Sequence, residues 1–177
     1  MITLLSELFN EFGNFGPVIL FFFSIYLLWN HDNLFFYYVV GIFLNSILNL
    51  VLKGLLQQPR PSEDITKFNL ALSNGKRFLF KYGIPYDIFG MPSGHSQSLL
   101  FSTVFIYLSI KKNNILYIYL IVSLLTMIQR VIYNYHTILQ VFAGAIVGVT
   151  FGYFVLNLAK EKIKGHITEK HDDYGPV

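Results

Sequence analysis

The chain holds no cysteine. That excludes a disulfide scaffold, a thiolate nucleophile and a cysteine-ligated zinc site. Charge is scarce too: 13% of the 177 residues are charged, against 54% hydrophobic and 18% aromatic. So apolar a chain cannot stay solvated as a disordered polymer. An ordinary soluble domain with this composition would lack the polar side chains to cover its surface. Acidic clusters are also missing. Carboxylates near the motifs described below are few, Asp87 among them, and a single carboxylate makes a poor Mg²⁺ site, so neither a metal nor a cofactor is expected. Thirteen Lys/Arg against ten Asp/Glu leave a formal charge of +3, which gives no reason to expect a nucleic-acid partner. No internal repeat or low-complexity tract is present.

What the sequence does have is long uncharged runs. None of the residues 33–52, 113–129 or 137–159 is charged, and about 20 mostly apolar residues cross a bilayer core. The pattern predicts an all-α, multi-pass transmembrane bundle with spans at 17–30, 34–56, 93–110, 114–133 and 137–158. Ahead of them, Leu4, Leu5, Leu8, Phe9 and Phe12 fall at helical spacing with Glu7 and Glu11 outside. This predicts a separate interfacial helix over 1–13; a cleaved signal peptide would want a basic start and a small-residue cleavage site. The 57–90 stretch is the one long polar connection, and 160–177 is a polar tail. The whole chain, 1–177, is expected to be one domain. Trp29, Tyr37, Tyr38, Tyr117, Tyr119, Tyr133 and Tyr135 lie near the proposed span ends, where amphipathic rings favour the headgroup zone. The Phe run at 21–23 is expected to face lipid, and Gly144, Gly148 and Gly152, four residues apart, to permit close helix packing inside the bundle.

Ionisable residues at membrane depth are costly and point to function. Here they gather at span ends. Lys53 and Arg60, seven residues apart, would share one side of a helix that Pro61 stops. Arg130 closes the fourth span and His136 opens the fifth. His95 stands in Met91-Pro92-Ser93-Gly94-His95 at the start of the third, where Ser93 suits an N-cap, Gly94 allows close approach, and free N–H groups attract an anion. Threading the spans brings all three clusters to one membrane face, with Lys111-Lys112 on the other. Three fixed cations, two imidazoles and a helix N-terminus suit a phosphate group, with one His attacking and the other handling protons.

Lys53-x6-Arg60-Pro61, Pro92-Ser93-Gly94-His95 and Arg130-x5-His136 together resemble the signature of the type 2 phosphatidic acid phosphatase superfamily, over about residues 34–158. The resemblance implies a membrane helical bundle that hydrolyses lipid phosphates without metal. It implies phosphate binding by Lys53, Arg60, Arg130, Ser93 and the Gly94 backbone, with His136 as nucleophile and His95 as general acid. Gln129 stands where the family usually has Ser, and Gln140 where it usually has Asp. Gln58-Pro59-Arg60-Pro61, Gly90-Met91-Pro92-Ser93-Gly94-His95-Ser96-Gln97 and Tyr135-His136-Thr137-x2-Gln140-Val141 look like the dolichyl-diphosphatase branch, which also resembles this chain in having Gln after the nucleophile. Gly94 in place of a second Ser and the longer loop, about 62–86, depart from that branch.

The expected function is a membrane lipid phosphatase acting on a polyisoprenyl (dolichyl-type) diphosphate through a phosphohistidine. A phosphatidate or other lipid monophosphate phosphatase is the alternative enzyme. A catalytically inactive lipid-phosphate binder is the alternative of another class, allowed by Gln129 and Gln140; a transporter would want paired broken helices. Gln140 lies one helical turn after His136 and could orient its ring. Lys67, Lys76, Arg77 and Lys81 lie on the active face; Lys111, Lys112, Lys160, Lys162, Lys164 and Lys170 lie on the other. The positive-inside rule then puts the site outside or in the lumen. That means the endoplasmic reticulum lumen for a dolichyl-type enzyme, and the external face of the plasma membrane otherwise.

Overall fold

In a computed structural model the described residues, 2–81 and 83–164, form six helices and one hairpin. In chain order these are α1 (Ile2–Leu28), α2 (Asp32–Leu56), α3 (Ile65–Ser73), β1 (Phe78–Lys81), β2 (Ile84–Asp87), α4 (Gly94–Ile110), α5 (Asn113–Ile132) and α6 (Ile138–Lys164). Four of them, α1, α2, α5 and α6, are long and apolar enough to cross a bilayer. The fifth long helix, α4, has 17 residues and packs among the others. It buries Ser96, Gln97, Ser102 and Thr103 beside Leu99, Phe101 and Phe105, so its polar side chains meet protein rather than lipid.

The first helix corrects the expectation of a separate interfacial helix over 1–13 and a short span after Gly16-Pro17. Instead α1 runs unbroken through Pro17. Proline removes one helical hydrogen bond and crowds the preceding turn, but packing outweighs this cost. Gly13 and Gly16 lie so close to α5 that a Cβ on either would collide with Gln129 or Thr126. Leu4, Leu5 and Leu8 remain exposed, and the amphipathic N-terminal turns are the first turns of that same helix.

Two of the tyrosines assigned to the headgroup zone are core residues. Tyr38 is fully buried with its hydroxyl 2.8 Å from Ser102 Oγ, and Tyr119 is buried with its hydroxyl 2.7 Å from Ser24 Oγ. Each has found the partner that a buried phenol needs. Trp29 and Tyr117 are exposed as expected. In the Phe21–Phe23 run Phe22 faces out, while Phe21 stacks on Tyr38 and Phe23 on Tyr119.

The glycine stripe of α6 packs within the bundle. A Cβ at Gly144, Gly148 or Gly152 would run into the carbonyl oxygens of Ser93, Gln97 and Phe101 respectively. The backbones of α4 and α6 are therefore in direct contact. α6 continues through Lys164, beyond the Lys160 boundary; the rest of the expected tail, 165–177, lies outside the described residues.

The 57–90 connection is ordered rather than irregular. Asp64 caps α3, accepting from the backbone N–H of Thr66 (2.8 Å) and Lys67 (3.3 Å). The strands pair antiparallel, with Phe78 opposite Asp87, Leu79 opposite Tyr86 and Phe80 opposite Pro85. Leu79 and Tyr86 pack on a small core of Phe68, Ala71, Ile88 and Phe89.

Candidate active site

The end of the bundle where α2 and α5 finish and α4 and α6 begin gathers the sequence-predicted residues. The helical-periodicity argument for Lys53 and Arg60 fails, however. α2 stops at Leu56 and Gln57 takes a left-handed conformation, its N–H returning to Lys53 O. Pro59 and Pro61 restrict the residues before them to extended geometry. Arg60 therefore sits on an extended segment paired with 88–90: Pro59 bridges Phe89, and Gly90 N–H donates to Gln58 O at 2.7 Å. The two cations still converge, through Asp87. The Lys53 ammonium lies 3.6 Å from Asp87 Oδ2, and Arg60 Nε donates to the Asp87 carbonyl at 3.0 Å. Arg77 Nη2 also donates to Asp87 Oδ2 at 2.9 Å. Burial lowers the Arg60 pKa from its ordinary value, and the Asp87 charge opposes that.

Arg130, at the end of α5, is buried. Its Nη2 donates to Asn14 Oδ1 at 2.5 Å, and its guanidinium carbon stands 4.6 Å from the centre of the Tyr135 ring. Its Nε is buried without a partner, so one donor of the fork is uncommitted. Gln129, the neighbour that departs from the signature, turns away to α1 and donates to Asn10 Oδ1 at 2.6 Å.

Pro92 and Ser93 bring the chain into α4, with Ser93 as the N-cap residue. The first helical bond is Gln97 N–H to Ser93 O at 3.1 Å, which leaves the N–H groups of the preceding turn without helical acceptors. Ser96 Oγ donates to Ser93 Oγ at 3.2 Å, so the Ser93 proton is left to donate elsewhere. A Cβ at Gly94 would stand 3.1 Å from Asn49 Oδ1; a serine there would crowd that amide.

The two imidazoles have definable tautomers. Gln140 Nε2 donates to Pro59 O at 2.9 Å, and Thr137 N–H donates to Gln140 Oε1 at 3.2 Å. A carbonyl can only accept and an N–H can only donate, so the amide is fixed with Oε1 toward His136. The contact of 3.3 Å from His136 Nδ1 to that oxygen then requires a proton on Nδ1, leaving the lone pair on Nε2. Burial, then the nearby charges of Arg60 and Lys53, push the His136 pKa down to about 3, so its ring is neutral. His95 Nε2 lies 3.2 Å from the Asn14 carbonyl oxygen, which likewise requires a proton on Nε2. Gly90 makes room for this arrangement: a Cβ there would come within 2.7 Å of Gln140 Oε1.

Several of these partners were missed by motif reading. Asn10 and Asn14 lie one turn apart on α1, and polar residues inside an apolar span face the bundle interior, which was an available signal. Asn45 and Asn49 repeat that mark on α2; Asp87 carries none. Beside His95 a groove of about 420 Å³ is lined by Asn14, Pro17, Ser46, Asn49 and Gly94. It adjoins a second of about 400 Å³ that shares Pro17, Val18, Ser46 and Ser98 and is walled by Phe21, Ile42 and Phe43. Among the described residues, no group of three or more His, Asp or Glu side chains could hold a metal ion.

Long apolar helices closing over a cation-lined polar end make this a multi-pass membrane bundle with its site at one end of the spans. The chain belongs to the PAP2 superfamily, whose profile matches residues 34–164. It is 31% identical over 137 residues to the Arabidopsis thaliana lipid phosphate phosphatases epsilon 2 and epsilon 1, both chloroplastic, covering 73% of this chain. The chain spans about two fifths of those relatives, 41% and 42% of their lengths. A crystal structure described as the first transmembrane PAP2 type phosphatidylglycerolphosphate phosphatase, from Bacillus subtilis, superposes with a TM-score of 0.62. That similarity covers 92% of this chain and 79% of the other at 21% identity, and it bears on the fold alone.

Proposed function

We propose that the chain is a single-domain lipid phosphatase working through a phosphohistidine on His136. The observation that carries this reading is the fixed tautomer of His136: a neutral, buried imidazole with its lone pair on Nε2, within reach of the charges of Arg60, Lys53 and Arg130. His136 Nε2 attacks phosphorus, forming an N–P bond as the P–O bond to the leaving group breaks. Lys53, Arg60, Arg130, Ser93 and the N-terminal amides of α4 stabilise charge on the equatorial oxygens. His95 gives its proton to the departing oxygen. It then takes one from the water that attacks phosphorus, breaking the N–P bond and releasing phosphate. With Nε2–H held by Asn14, the transferred proton travels on Nδ1, which takes it from the entering protonated phosphate before handing it to the leaving oxygen. The groove running from His95 to Phe21 and Phe43 fits an apolar chain attached to the phosphate.

Two substrates compete. The motif likeness favours a polyisoprenyl diphosphate, which would place the site in the endoplasmic reticulum lumen. The names of the relatives, two of them chloroplastic, favour a lipid phosphate such as phosphatidate or phosphatidylglycerolphosphate. By the balance of Lys residues at the two ends, the site faces away from the cytosol. A C-terminal reporter that became glycosylated would reverse that orientation.

Purified protein in detergent, given a polyisoprenyl diphosphate, phosphatidate and phosphatidylglycerolphosphate in parallel with EDTA present, tests the proposal. The expected result is phosphate release that EDTA spares, vanadate inhibits as a mimic of five-coordinate phosphorus, and His136→Ala abolishes. The preferred substrate decides between the two readings. Binding of all three lipids without turnover would sink the enzyme reading in favour of a lipid-phosphate binder.

A further inference from the structure

The hairpin carried by the long loop presents an aromatic face that the described residues leave largely uncovered. Strand register puts Phe78 and Phe80 on one side of β1 and Leu79 on the other. Leu79 and its cross-strand partner Tyr86 pack inward on α3. Phe78 is 51% exposed and Phe80 75%, far above what a small extramembrane element leaves open without a reason. The direction of this face is set by Asp87, which pairs directly with Phe78 and so shares its side of the sheet. Asp87 reaches the ammonium of Lys53, in the last turn of α2. The aromatic face therefore looks toward the end of a span, whose last residues, Leu55 and Leu56, are themselves exposed. Exposed Lys76 stands just before β1 and Arg77 leads into it, the guanidinium lying 5.4 Å from the Phe78 ring centre.

We propose that the Phe78–Phe80 face is a bilayer-docking surface, inserted among the lipids at the headgroup boundary beside the end of α2. The partner is the membrane that the spans already occupy. The face is continuous with the lipid-exposed end of α2, and aromatic rings flanked by basic residues suit that depth. The docked hairpin also carries Asp87, which holds Lys53 through its carboxylate and Arg60 through its carbonyl. Membrane contact at Phe80 thus bears on the placement of two cations of the site, whatever the substrate proves to be.

The absence of native cysteine makes the test clean. The full chain carrying Phe80→Cys, spin-labelled and reconstituted in lipid nanodiscs, is compared with Asn69→Cys on the outward side of α3. Collisions with oxygen, which concentrates in lipid, and with a water-soluble nickel chelate are measured at each site. The expected result is an oxygen-to-nickel ratio several-fold higher at 80 than at 69. Equal ratios would overturn the proposal. So would an immobilised label at 80 shielded from both reagents, since that face would then be covered by protein, such as a second copy. Should Phe80→Cys fail to fold, Phe80→Trp in a Trp29→Phe background, with quenching by lipids brominated near the headgroup, gives the same decision: strong quenching is expected, and none refutes docking.

Discussion

Removing the amide of Gln140 tests how His136, the proposed nucleophile, is aimed. Gln140→Ala deletes three hydrogen bonds: from His136 Nδ1–H (3.3 Å), from Thr137 N–H (3.2 Å) and to Pro59 O (2.9 Å). The second and third hold the loops; the first fixes which imidazole nitrogen carries the lone pair. Without it, His136 can place its proton on either nitrogen and rotate in a buried site. Losing such an orienting partner costs about ten- to a thousandfold in turnover, or about 1.4–4 kcal/mol of activation free energy. A half-buried carbonyl left unpaired at Pro59 adds a stability loss of about 0.5–1.5 kcal/mol. The two effects separate with Gln140→Glu, which keeps an acceptor for His136 and Thr137 but loses the donor to Pro59. Phosphate-release kinetics across pH, with thermal unfolding measured in parallel, read both. Orientation requires that the Glu variant keep most of its turnover, with an altered pH profile, while the Ala variant does not. If Gln140→Ala retains wild-type turnover and pH dependence, the orienting role is wrong and Gln140 only joins helices.

Other substitutions probe the frame and its charges. Asn14→Leu frees the Arg130 guanidinium from α1 and should raise KM more than it lowers kcat; unchanged kinetics would show that Arg130 needs no clamp. Asp87→Asn removes the countercharge between Lys53 and Arg77 and should weaken substrate binding several-fold by letting both cations drift; tighter binding would mean that Asp87 merely repels phosphate. Gly148→Val drives a side chain into the Gln97 carbonyl and should cost several kcal/mol of stability, read as loss of folded protein in detergent. The His136 pKa of about 3 lies below the unfolded value of about 6.5. Between those limits the unfolded chain binds a proton that the folded chain refuses, so stability falls as pH falls, by up to about 1.4 kcal/mol per unit. His136→Gln should flatten that slope in acid-unfolding curves; an identical slope would place the titration elsewhere.

Much of the architecture could be read from charge-free runs, because lipid admits few other patterns. The ends of α2, α4, α5 and α6 fall within a few residues of expectation, α6 running longest past it. What escaped was decided by packing between distant segments. Pro17 reads as a helix boundary, yet Gly13 and Gly16 against α5 carry the helix through it. Tyr38 and Tyr119 look interfacial, but Ser102 and Ser24 lie too far away in sequence to reveal them as buried partners. The motif residues did gather at one end, whereas the supposed helical alignment of Lys53 with Arg60 gave way to two prolines and a bridge to Phe89. Asp87 had no spacing to betray it, since it acts on residues in other elements.

The glycine contact between α4 and α6 also sets an order of events during biosynthesis. The short α4, with its buried Ser96, Gln97, Ser102 and Thr103, is poorly suited to stand alone in lipid, where unpartnered polar side chains are penalised. The surface that accommodates its backbone belongs to α6, the last of the described helices to leave the ribosome. His95 arrives with α4, and His136 only just ahead of α6. Until α6 has emerged, the nascent chain holds an anchored but unassembled set of helices. A premature stop before Gly144 would leave α4 without the helix it rests on, a substrate for membrane quality control.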